Sequence, residues 1–188
     1  MKALFIGGTG TISTEVSRLA LERGWELTLL NRGNHVLPKG ARSLVLDISD
    51  EQAVKEALAG ERFDVVADFI VFDEEQTRRD IRLFSGMTNQ YFFISSASAY
   101  QKPPRDYVIT ESTPLCNPYW EYSRKKAACE NVLMEAYRAE GFPVTVIRPS
   151  HTYCERSITV PVHGEKGSYP VLRRMLAGNP VILSLIHI

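Results

Sequence analysis

The sequence predicts an α/β fold, a doubly wound parallel sheet covered by helices on both faces. Two observations carry this. Short β-rich apolar runs alternate with amphipathic segments as far as Arg148, and a glycine cluster stands directly behind the first run. Such alternation means right-handed βαβ units and a parallel sheet. Strands are expected at Ala3–Ile6, Glu26–Leu30, Ser43–Leu46, Asp64–Phe69, Tyr91–Ser95 and Val144–Arg148. Between them Ile12, Val16, Leu19 and Ala20 fall on one helical face, as do Ala53, Val54, Ala57 and Leu58. A third helix is expected over Thr77–Phe84, and a long one from Asn117-Pro118, with proline in its first turn, to Gly141. After Pro149 the periodicity fades, and only Val171–Leu176 reads as helical.

Composition narrows the function classes. The 188 residues are 44% hydrophobic and carry 22 basic and 22 acidic side chains. The balance gives no global reason to expect a nucleic acid or an anionic membrane as partner. No apolar run approaches the roughly 20 residues of a membrane span. Met1-Lys2 leads straight into a strand, so no signal peptide is visible. Cys116, Cys129 and Cys154 lack ligand-like spacing, and their odd number argues against a disulfide framework. A cytoplasmic protein without a metal site is the expectation.

The stretch "KALFIGGTGTISTEV" places Gly7, Gly8 and Gly10 on the first strand–helix turn. A bare backbone there lets the turn close and lets a pyrophosphate approach, with the amides near Thr11 and Ile12 and the positive helix end facing the anion. Ser13 stands where a third glycine would allow the closest packing. A tight turn without a ligand is the plainer alternative. After the second strand comes "NRG". Dinucleotide sites that use NAD place a carboxylate here for the ribose. Asn31 removes that charge and Arg32 adds a guanidinium suited to a 2′-phosphate, which favours NADP over NAD. Arg32 as a solvated loop charge is the alternative. Asp47-Ile48, after the third strand, are placed to contact adenine, and a helix N-cap role for Asp47 or Asp50 is equally open.

In "WEYSRKKAACENVL" Tyr122 and Lys126 are four apart and share a helix face with Cys129 and Leu133. A tyrosine pKa near 10 is too high for a base at neutral pH, and an ammonium one turn away, together with a positive nicotinamide ring, would stabilise the phenolate and lower it. Lys126 could also hold a nicotinamide ribose. "FFISSASAY" ends a buried strand at Ser95-Ser96, on the edge where open α/β sheets bind ligands. Ser96 and Tyr122 could then converge on one carbonyl or hydroxyl. A strand-end cap for Ser96 and a plain surface pair for Tyr122 and Lys126 are the alternatives.

These motifs, together with "VIRPSHTY", occur in one order at family-like intervals over residues 2 to 155. The sequence resembles the extended short-chain dehydrogenase/reductases, the NAD-dependent epimerase/dehydratase family. The resemblance implies a Rossmann-like NAD(P)-binding fold, and an oxidoreductase or epimerase-type enzyme acting at a carbinol or carbonyl carbon. In it Ser96 polarises the substrate oxygen, Tyr122 is the acid/base and Lys126 assists. The expected partner is a small-molecule substrate, with a nucleotide sugar as one class, and a homodimer of the complete protein is left open. Several positions depart from the family. Ala97-Ser98 replaces the acidic pair of the dehydratases, "VVADFIVFDEE" follows the fourth strand, and His151 and Cys154 stand in place of asparagine and glycine. His151 reads equally as a substrate contact or a structural histidine. The same departures resemble the atypical branch that includes chloroplast stem-loop RNA-binding proteins, so a dinucleotide-binding RNA-binding or regulatory module is the second reading.

The domain expectation is an NAD(P)-binding domain over 1–155 and the start of a substrate region over 156–188. "RRMLAGNPVI" ends in a strand-like Val181-Ile182, and "LSLIHI" has no turn, cap or charge to close a domain. A truncated chain is therefore expected, binding dinucleotide weakly, exposing apolar surface around Leu172–Ile188 and turning over little.

Overall fold

Six parallel strands lie in the order β3-β2-β1-β4-β5-β6: β1 (Lys2–Ile6), β2 (Glu26–Asn31), β3 (Arg42–Val45), β4 (Phe63–Asp68), β5 (Thr88–Ile94) and β6 (Val144–Ile147). The computed structural model describes residues 1–154 and 170–180. The chain divides into two compact units, Met1–Ser150 and His151–Ile188. The first holds the whole sheet with α1 (Ser13–Glu22), α2 (Glu51–Ala57), α3 (Glu74–Phe84) and α4 (Glu121–Glu140). The second contains α5 (Pro170–Leu176). Its Met175 and Leu176 are exposed, while Val181-Ile182 and the tail lie outside the described residues.

The doubly wound sheet matches the expected fold class. Winding from β1 runs outward to β3 on one side and, after α2, returns to β4 on the other. The reversal leaves a crevice at the carboxyl ends of β1 and β4, where such folds bind ligands. Alternation along β1 supplies both cores: Leu4 and Ile6 join Val66, Phe93, Cys129 and Leu133 on one face, and Ala3 and Phe5 join Ala20, Leu27 and Leu29 on the other.

The first helix corrects a sequence expectation. Val16 and Leu19 are exposed, and the buried face of α1 is Ser13, Ser17 and Ala20. Small residues bring this helix close to the glycine turn, where the Ser17 hydroxyl donates to the Gly8 carbonyl at 3.1 Å. Asp50 caps α2, its side chain accepting from the Ala53 amide, so Asp47 is not the cap. Helix α3 starts three residues earlier than expected because Asp73 accepts from the Gln76 amide. Pro118 is not in the first turn of α4, which begins at Glu121. Instead Asn117 ties this approach to a short 3-10 turn over Ala97–Ala99 by donating to the Ser98 carbonyl at 2.8 Å. Strand β5 begins at Thr88 rather than Tyr91, since polar Thr88 and Gln90 pair with Phe63 and Val65 on β4.

Gly7 and Gly8 both have positive φ, 98° and 74°. A Cβ on Gly8 would stand 2.6 Å from the Leu29 Cδ2 in the core, whereas one on Gly10 would meet only the Ser13 Oγ at 3.5 Å. Gly8→Ala is therefore expected to lower stability by roughly 1–3 kcal/mol, combining left-handed strain with overpacking. Gly10→Ala should stay within about 0.5 kcal/mol of wild type. Urea unfolding measures both, and equal midpoints for the two variants would contradict the distinction.

Candidate functional site

A cleft of about 590 Å³ opens over the crevice, lined by Gly7, Gly10, Asn31, Arg32, Asp47 and Ile48 together with Phe72 and Arg79. Six of the expected cofactor residues therefore share one cavity. Thr11 and Ile12 precede α1, Ile12 at its N-cap position. Gly8 packs on Leu29 and serves the turn. The Gly7 amide donates to the Leu30 carbonyl at 2.9 Å, holding the turn against β2. Ser13 does more than stand in for glycine, because its Oγ accepts from the Gly10 amide at 2.8 Å.

At the β2 end Asn31 accepts from the Gly33 amide at 2.8 Å, which fixes its carboxamide. Its buried Nδ2 has no partner, so a donor is left for a ligand hydroxyl or phosphate. Arg32 is exposed beside it. Asp47 accepts from the Ser49 amide and hydroxyl, and those two bonds chiefly hold its carboxyl below the usual range. An open glycine turn, an orphaned donor and a cation at the ribose position fit a dinucleotide.

The second constellation assembles at the carboxyl end of β5. Ser96 accepts from the Ser98 amide at 3.1 Å, which makes it a cap as well as a candidate catalytic hydroxyl. Ser98 in turn accepts from the Ser123 hydroxyl at 2.9 Å, linking this turn to α4. Burial raises the Tyr122 pKa, and a hydrogen bond with the Ser96 hydroxyl opposes the rise. Partial burial therefore favours the protonated phenol. Lys126 is buried, and its ammonium donates to the Val71 and Ile94 carbonyls at 2.5 and 2.7 Å. It also lies over the rings of Phe72 at 4.7 Å, Phe93 at 4.9 Å and Tyr122 at 5.7 Å. Phe72, which lines the cleft, stands 6.4 Å from Tyr122 between ring centroids and so joins the two constellations.

The NAD dependent epimerase/dehydratase family matches residues 3–184. The chain belongs to this family. A 2′-dehydrokanamycin reductase of Streptomyces kanamyceticus is 26% identical over 139 residues, 73% of this chain and 39% of the relative. The chloroplast stem-loop binding protein of 41 kDa b of Arabidopsis thaliana is 28% identical over 169 residues, 81% of this chain and 42% of the relative. The UDP-glucose 4-epimerase of Thermus thermophilus, solved in complex with NAD, has the same fold. It superposes with a TM-score of 0.75 at 23% identity, covering 96% of this chain and 64% of that one. The chain thus spans about two-fifths of the curated relatives' length.

For a member of this epimerase/dehydratase family, the sequence motifs leave out the residues that hold the site in place. Glu130, one turn after Lys126, is buried, accepts from the Ser95 hydroxyl at 2.5 Å and pairs with Arg148 at 2.6 Å. Arg148 also donates to the Tyr100 hydroxyl at 2.9 Å. A signal is present, since Glu130 continues the spacing of four from Tyr122 and Lys126. His151, a departure from the family, opens the second unit and is exposed. No helix among the described residues is long and apolar enough to cross a membrane.

Desolvation is the first cause that lowers the Lys126 pKa to about 8. In protein carrying ¹³Cε-lysine, one resonance should titrate near pH 8 and vanish in Lys126→Met. A midpoint near 10.5, the ordinary lysine value, would contradict the buried placement.

Proposed function

We propose that the cleft binds a nicotinamide dinucleotide and that Ser96, Tyr122 and Lys126 carry oxidation and reduction at a carbinol or carbonyl carbon. The observation that supports this is the joining of the two constellations through Phe72, which lines the cleft and touches Tyr122 and Lys126. Gly7, Gly10 and the amides near Thr11 and Ile12 hold the pyrophosphate, with Gly8 shaping the turn. Asn31 and Arg32 take the ribose end, Asp47 and Ile48 the adenine, and Lys126 the nicotinamide ribose. Such a cofactor supplies hydride exchange at the nicotinamide C4.

The chain's own groups do the rest. The Ser96 hydroxyl donates to the substrate oxygen and orients it. Tyr122, held as a phenol by burial, is ready to give its proton to a carbonyl oxygen during reduction. In the opposite direction it must accept a proton as phenolate, and the Lys126 ammonium next to its ring stabilises that anion. The substrate is a small molecule, and a nucleotide sugar is the class that the epimerase neighbour's name carries. With less than half of the curated relatives' length spanned, weak dinucleotide binding and little turnover by these 188 residues belong to the same proposal. The alternative, RNA binding, draws on the stem-loop binding relative. The Lys126 ammonium over the Tyr122 ring favours the enzyme.

Arg32 beside Asn31 selects the 2′-phosphate. Arg32→Ala should reduce the ratio of NADP⁺ to NAD⁺ affinity by about tenfold, as for one lost charge-assisted contact. Calorimetry with both dinucleotides decides this, and an unchanged ratio assigns the preference elsewhere. Tyr122→Phe should keep NADP⁺ affinity while losing hydride transfer by about 10²-fold or more. The readout, in a complete form of the protein, is single-turnover absorbance in the reduced-cofactor band with a carbonyl substrate that the wild type reduces. Unaltered transfer would remove Tyr122 from its role.

A further inference from the structure

Asp68, the last residue of β4, is buried, and the chemistry above gives it no task. Its Oδ1 accepts from the Ile70 amide at 2.6 Å, whereas its Oδ2 accepts no hydrogen bond among the described residues. The Arg79 guanidinium on α3 stands 3.6 Å from that oxygen through Nη2. It is already engaged, because Nε and Nη2 both donate to Asp80 Oδ1 at 2.9 and 2.7 Å. Asp80 is buried as well, and its Oδ2 accepts from the Tyr91 hydroxyl of β5 at 2.6 Å. The Lys126 ammonium of α4 also acts electrostatically with Asp68, but it donates to the Val71 and Ile94 carbonyls.

With both carboxyls ionised, Asp68, Asp80 and Arg79 would together leave one negative charge uncompensated away from water. Such a charge is costly, and two carboxylates in one site resist ionising together. One proton balances the cluster, and Asp68 Oδ2 is where it fits. Asp80 already accepts from three donors, while Asp68 Oδ2 accepts from none of the described residues. As an acid, Oδ2 becomes a donor, and the Asp80 carboxylate lies within side-chain hydrogen-bonding reach as its acceptor. Burial first, and then Asp80, push the Asp68 carboxyl upward in the same sense. The position matters because Asp68 leads into the segment that joins the two constellations. Phe69, Ile70 and Phe72 line the cleft, and Val71 gives its carbonyl to Lys126.

We propose that Asp68 is a positioning residue that works as a neutral acid, donating its Oδ2 proton to Asp80 while its Oδ1 fixes the Ile70 amide. One proton thereby fastens the segment 69–72 to α3, whatever the cleft binds. Asp68→Asn keeps an acceptor and a donor without a proton to lose, and Asp68→Leu keeps only the volume.

Urea unfolding and amide hydrogen exchange of the 188-residue chain test this. The unfolded wild type releases the Asp68 proton above the ordinary aspartate value of 3.8, and the native chain keeps it. Wild type should therefore lose stability relative to Asp68→Asn as pH rises. The ratio of their unfolding constants, wild type over variant, should grow by about tenfold per unit from about pH 5 until the native acid itself ionises. A ratio that is flat or falls between about pH 5 and 7 would overturn the proposal by making Asp68 a native carboxylate. Exchange of the Ile70 amide should match wild type in Asp68→Asn and quicken by about tenfold in Asp68→Leu. Equal exchange in the two variants would overturn the positioning role. Should a variant fail to fold, wild type carrying ¹³Cγ-aspartate decides. One resonance should keep the shift of a protonated carboxyl at about pH 6, and a spectrum in which every aspartate has ionised by then overturns the proposal.

Discussion

The buried ammonium of Lys126 is the constraint around which the site is built. It joins α4 to the segment after β4 through Val71 and to the end of β5 through Ile94, and aromatic rings close over it. A lysine desolvated this far loses hydration that two carbonyls and three π faces must replace. If α4 moved by one turn, the ammonium would lose both carbonyls at once. The position of Tyr122, one turn earlier on the same face, is therefore set by how Lys126 is satisfied.

Two further charged groups extend the same logic outward. Glu130, one turn on, bonds Ser95 on β5 and pairs with Arg148 after β6, so the carboxyl ends of neighbouring strands are fastened to α4. On the other side of β4, Asp68 and Asp80 share one guanidinium. Burial first, and then the neighbouring Asp80, pushes the Asp68 carboxyl well above the usual range. Replacing such groups by apolar ones is often neutral or stabilising, so their value lies in fixing geometry around the crevice. The cleft consequently has rigid walls made of charge on one side and a glycine turn on the other.

Much of this is legible in the chain before folding. The βα alternation, the glycine turn and the spacing of four between Tyr122 and Lys126 are local patterns, and periodicity reports local patterns well. The order of motifs along the chain also puts Gly7, Asn31 and Asp47 at successive strand ends, where the structure has them. The buried face of α1 escapes the pattern because hydrophobicity favours Val16 and Leu19, whereas the glycine turn admits only small side chains at Ser13 and Ser17. Thr88 and Gln90 of β5 escape it because a strand satisfied by backbone pairing need not be apolar at its start.

The sequence by itself determined which residues stand at strand ends and which share a helix face, because chain geometry has fixed periods of 2 and 3.6 residues. Only the tertiary structure decided what each of those residues meets. Lys126 faces carbonyls and rings instead of solvent, and burial raises the Tyr122 pKa against the opposing pull of Ser96. Arg79 turns inward onto two carboxylates that lie on different elements of the chain, Asp68 on β4 and Asp80 on α3. Solvation and Coulomb energy depend on distances through space, which strand order and helix packing set, and no local pattern of residues encodes them.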